Sequence, residues 1–123
     1  SSMSEGEPPV CLERGLVEIR TTFGSRDAAL ACAERLVRAR LAGCVQVDGP
    51  VVSTYAWQGA IERADEWRCT CKTTDAARDA CVAAILADHP YDTPQIVAVP
   101  VEASPSYATW VNTSVGTKSP EGL

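Results

Sequence analysis

The stretch DHPYDTP, residues 88–94, gathers most of the side chains able to do chemistry. His89 is the only histidine among the 123 residues. A neutral imidazole takes up a proton near neutral pH and is also a good ligand for copper or zinc. Asp88 beside it can lend a carboxylate oxygen to the same cation. Tyr91 follows at once, and Glu62, Glu66 and Lys72 upstream are candidates for a small polar cluster near His89 and Tyr91. Such a set can move protons, yet the chain has no nucleophile motif, no Gly-rich phosphate loop and no second histidine, so it is not expected to be an enzyme. The plain reading of His89 is a helix end: Pro90 forbids another helical turn, and an imidazole there can bond the free carbonyls.

The six cysteines, Cys11, Cys32, Cys44, Cys69, Cys71 and Cys81, include no C-x-x-C pair and no spaced cluster with histidine, so a structural zinc site is not expected. Cys69 and Cys71 share one face of a strand, a spacing unsuited to a disulfide. Buried thiols and a reducing cytoplasm are the expectation. The opening SSMSEGEPP lacks the apolar segment of a secretory signal. Sixteen acidic residues against eleven basic ones give a net charge of −5, which disfavours nucleic acid as a partner. No apolar run approaches the ~18 residues of a membrane span, and membrane insertion is not expected.

The chain reads as two similar halves. LVEIRTTFGSRDAALACAERLVRARLAG is a strand, a turn and an Ala-rich helix, and EWRCTCKTTDAARDACVAAILADHP repeats that order. The first helix is expected to start at Ser25, present Leu30, Ala33, Val37 and Leu41 to the core, and close at Gly43. The second is expected to start near Thr74 and carry Cys81, Ala84 and Ile85 inward. Further strands, CVQV and QIVAVPVE, follow the two helices. The fold class is therefore α+β, a ferredoxin-like split βαβ-βαβ with two helices on one face of an antiparallel sheet. Ser104-Pro105 then opens a short C-terminal helix. The domain spans residues 16–115, after an N-terminal segment, 1–15, expected to be disordered or an expression remnant, and before a flexible tail, 116–123.

Between the halves, two extended arms meet at Gln58-Gly59 in a hairpin. As strand, residues 60–73 would reach on the order of 45 Å at ~3.3 Å per residue, more than twice a usual strand. A ribbon that outruns its sheet leaves unpaired backbone groups, and the simplest cover is another copy of the chain.

LAGCVQV, STYAWQGAIERADE, CKTT, HPYDTPQIVAVPV and YATWV, in this order and at these separations, resemble the CutA divalent-cation tolerance family over roughly residues 16–114. The resemblance implies a homotrimer in which long hairpins extend a neighbour's sheet, and a role in tolerance to copper and other divalent cations. It implies Cu2+ or another divalent cation as ligand and no organic cofactor, with His89 and Asp88 as candidate ligands. In copper-binding members it places a cysteine in the first strand and a second histidine before His-Pro-Tyr; here those places hold Arg20 and Asp88. Tyr55, Trp57, Glu62, Glu66, Lys72, Tyr91 and Trp110 are the candidates for an inter-subunit cleft, although for Tyr55, Trp57 and Trp110 the favoured reading is that of anchors of the trimer interface. The family's likeness to trimeric nitrogen-regulatory signal transducers offers an alternative, a small molecule or nucleotide bound between subunits. An RNA-binding sheet is excluded, because VEIRTTF and WRCTCKT lack paired sheet-centre aromatics.

Overall fold

The computed structural model describes residues 11–116. Its elements are β1 (Glu13–Phe23), α1 (Arg26–Arg38), β2 (Cys44–Trp57), β3 (Ala60–Thr74), α2 (Arg78–Asp88), β4 (Ile96–Ala103) and α3 (Pro105–Ser114). The strands form one antiparallel sheet in the order β2-β3-β1-β4, the ferredoxin-like arrangement. The expectations for residues 1–10 and 117–123 lie outside the described residues. Glu13 is already in β1, paired with Ala103 of β4 across an irregularity before Leu16, so the folded chain begins earlier than residue 16.

Alternation along β1 sends Ile19 and Phe23 to the face that α1 and α2 cover, where Cys32, Leu36, Cys69, Cys71, Cys81 and Ile85 complete the main core. Leu16 points to the opposite face, where α3 covers one end with Ala108 and Val111. Ser25 caps α1 as expected, its Oγ accepting the Ala28 N–H at 3.1 Å. The buried stripe of α1 is different from the expected one: Ala29, Cys32 and Leu36 face the sheet, Leu41 is partly buried beyond the helix, and Leu30 is exposed. Small residues win this face because α1 lies close on β3, near enough for the Cys69 thiol to donate to the Ala29 carbonyl at 3.3 Å. The helix also closes before Gly43. Arg40 takes a left-handed conformation (φ 60°), and the Leu41 N–H reaches back to the Leu36 carbonyl at 2.9 Å. α2 starts later than Thr74, because Thr74 is still paired with Leu16 in the sheet; its Oγ1 accepts the Ala77 N–H at 3.1 Å.

β2 and β3 are 14 and 15 residues long and meet at Gln58-Gly59, whose positive φ values of 49° and 80° fit a two-residue hairpin turn. β1 accompanies β3 only from Thr74 to Trp67. From Glu66 to Ala60, β3 pairs with β2 alone, so this half of the ribbon projects past the sheet. By register, Tyr55, Trp57, Glu62 and Glu66 share one face of the projection, and Val52 and Ile61 the other. Each face exposes a large apolar side chain: Trp57 is 59% exposed and Ile61 67%.

Candidate functional site

Pro90 stops α2, and His89 becomes its extended cap residue, with φ −74° and ψ 133°. That turn carries the imidazole away from the helix's own carbonyls and onto β1. The ring stacks on Phe23, centroids 4.4 Å apart and planes 12° from parallel. The Tyr91 N–H donates to Nδ1 at 3.2 Å. In the neutral ring an accepting Nδ1 leaves the proton on Nε2, which donates to the Thr22 carbonyl at 2.9 Å, with Thr21 Oγ1 3.2 Å away. Burial holds the His89 pKa below its ordinary value, against weaker upward pulls from the Thr22 carbonyl and the Glu66 carboxylate. His89 is thus a neutral clamp between α2 and β1 with both nitrogens engaged.

Tyr91 lies over its edge, ring centroids 5.0 Å apart. Its hydroxyl donates to one Glu66 oxygen at 2.9 Å, while the Ser53 hydroxyl donates to the other at 2.7 Å. Burial, then the bond to Glu66, push the phenol up to about 12. Glu66 is the first β3 residue beyond the end of β1, so this cluster pins the root of the projecting ribbon to the loop after α2.

The remaining candidates lie elsewhere within the chain. Glu62 stands opposite Tyr55, out toward the hairpin tip with Trp57. Lys72 sits six positions along β3 from Glu66, about 20 Å away at ~3.3 Å per residue. There it joins Glu18, whose carboxylate takes the Arg20 guanidinium at 2.6 Å and the Lys72 ammonium at 2.9 Å. Those bonds, Arg20's first, hold the Glu18 carboxyl below the usual range. Trp110 stacks on Tyr107 along α3 at 5.8 Å and is 50% exposed. Asp88 Oδ2 meets Arg35 Nε at 3.2 Å, turned toward α1 while His89 turns toward β1. Among the described residues no three His, Cys, Asp or Glu side chains come together as a metal site. With Asp88 and His89 diverging, the imidazole saturated and a guanidinium at Arg20, the candidate ligands among the described residues do not come together on a divalent cation within one chain.

Sequence reasoning passed over Phe23, Thr22, Ser53 and Glu18. Each earns its place through a cross-strand or loop-to-strand contact.

The family description "CutA1 divalent ion tolerance protein" matches residues 17–114. The chain belongs to the CutA1 family. It is 36% identical over 90 residues to the divalent-cation tolerance protein CutA of Pectobacterium atrosepticum, covering 69% of this chain and 82% of that one. It is 35% identical over 96 residues to the protein of the same description from Thermus thermophilus, covering 77% and 93%. Among solved structures, CutA from Xylella fastidiosa superposes with a TM-score of 0.79 at 36% identity, covering 82% of this chain and 98% of that one. CutA from Synechococcus elongatus superposes with a TM-score of 0.82 at 32% identity, covering 88% and 96%. The CutA1 match begins at Val17 and ends at Ser114, the last residue of α3, and so takes in all three helices and the sheet apart from the first four residues of β1.

Proposed function

We propose that this CutA1-family chain works as a non-catalytic cytoplasmic homotrimer in tolerance of, or response to, divalent cations, with copper foremost, and that the assembly is the functional unit. The observation that carries this reading is the β2–β3 projection. Beyond Trp67 only β2 runs beside β3, so the edge that β1 covers elsewhere is open, and the ribbon exposes apolar side chains on both faces. One neighbour cannot cover both faces of a ribbon; a closed ring of copies can, each receiving one ribbon and giving another. The cation role rests on the names its relatives carry. Since Asp88 and His89 diverge within one chain, the proposed ligand set for a divalent cation is drawn from more than one chain, at clefts bordered by Tyr55, Trp57, Glu62, Glu66, Tyr91 and Trp110.

The test is light scattering after size exclusion, followed by calorimetric titration with Cu2+ and Zn2+. Three chains per particle are expected, and Ile61→Asp is expected to lose both association and the heat of metal binding. A wild-type monomer at micromolar concentration would overturn the reading, as would equal heats from a monomeric Ile61→Asp.

A further inference from the structure

Four of the thiols lie in the main core in two facing pairs, Cys32 with Cys69 and Cys71 with Cys81. Nothing in the clamp or the projecting ribbon uses them. The pairs differ in one respect. Between α1 and α2, on the side of the sheet away from Glu18 and Lys72, lies a cavity of about 620 Å³. Cys32 forms part of its wall together with apolar Leu36, Leu41 and Ala84, and the Arg35–Asp88 ion pair stands at its margin. Cys69, Cys71 and Cys81 do not border it. The Cys32–Cys69 pair is therefore a buried dithiol with an approach from solvent, and Cys71–Cys81 is a similar dithiol without one.

We propose that Cys32 and Cys69 form a two-coordinate site for a soft monovalent d10 cation, with Cu(I) the biological occupant, entered through the α1–α2 cavity. Thiolate sulfur selects Cu(I) over harder cations. A linear two-sulfur complex needs only two donors, so the lack of a third near the pair, which rules out tetrahedral zinc, does not rule out Cu(I). Loading replaces two S–H bonds with two Cu–S bonds: both thiols release their protons to solvent, no electron moves, and the site ends with one net negative charge. The contact with Cys69, then the Arg35 guanidinium on the cavity wall, draw the Cys32 thiol down, while the same contact and burial push the Cys69 thiol up. The apolar core raises the cost of the net charge, which the two Cu–S bonds offset, and it keeps water from competing for the ion.

The test is an anaerobic titration of the intact protein with Cu(I) against a chromophoric Cu(I) chelator. X-ray absorption on the loaded protein then reads the donor atoms. One Cu(I) per chain with two sulfur donors is expected. Cys32→Ser and Cys69→Ser are each expected to weaken binding by about 100-fold or more, while Cys71→Ser, Cys81→Ser and His89→Ala change it by less than about threefold. Loss of Cu2+ heat in a monomeric Ile61→Asp together with retained Cu(I) binding would separate this site from the proposed assembly function. Failure of the wild type to compete with the chelator, nitrogen or oxygen donors in the absorption spectrum, or equal binding by Cys32→Ser would each overturn the proposal. The wild-type spectrum decides the matter even where a serine variant fails to fold.

Discussion

His89 holds its place by being neutral. Because burial lowers its folded pKa below the ordinary 6.5, folding favours the unprotonated ring. Its contribution is therefore present above pH 6.5 and is lost as pH falls through the lower folded value. His89→Gln cannot stack on Phe23 and is expected to cost about 2 kcal/mol at pH 7.5. Between pH 7.5 and 5 the gap between the two proteins should narrow in urea titrations, and a constant gap would show that the ring's protonation plays no part. Gly49 is a second sensitive residue. A Cβ there would come within 2.6 Å of Trp67 Cδ1 and 3.0 Å of the Glu66 carbonyl, and neither a packed indole nor a strand backbone yields easily. Gly49→Ala is expected to destabilise by about 1–3 kcal/mol, read from the denaturation midpoint.

At the scale of elements, the ribbon is the unusual part, and its root is held by side chains rather than by a third strand. Tyr91 and Ser53 both bond Glu66 where β1 gives out. Tyr91→Phe removes one of these bonds and leaves Ser53 on the carboxylate, so a loss of about 1 kcal/mol is expected. The sharper readout is hydrogen exchange. Amides of residues 60–66 should exchange faster in the variant while those of β1 stay as protected as before, since β1 pairs with β3 only up to Trp67. Uniform acceleration across the sheet would mean that the bond supports the whole domain instead of the ribbon's root.

For the whole molecule, the proposed assembly predicts that apolar side chains on both faces of the ribbon couple stability to association. A folded chain that gains partners is stabilised by mass action, so the melting temperature should climb as protein concentration is raised tenfold or more. Ile61→Asp should melt at one temperature regardless of concentration. A wild-type melting point that ignores concentration would argue that the ribbon is stable uncovered.

The sequence by itself determined the element order, the two-layer antiparallel architecture, the Ser25 cap, the Gln58-Gly59 turn and the excess length of the hairpin. All of these rest on local periods and turn chemistry, which the neighbours of a residue in the chain dictate. It did not determine which side of α1 is buried. Leu30, Ala33, Val37 and Leu41 made the more obvious stripe, but the close approach of α1 to β3 selected Ala29, Cys32 and Leu36. Nor did it determine the company of the chemical residues: His89 with Phe23 and Thr22, Glu66 with Ser53 and Tyr91, and Lys72 with Glu18 are contacts across strands and loops. Such pairings depend on strand register and on where β1 ends. Only the folded sheet sets these, because residues far apart in the chain meet there at fixed spacing.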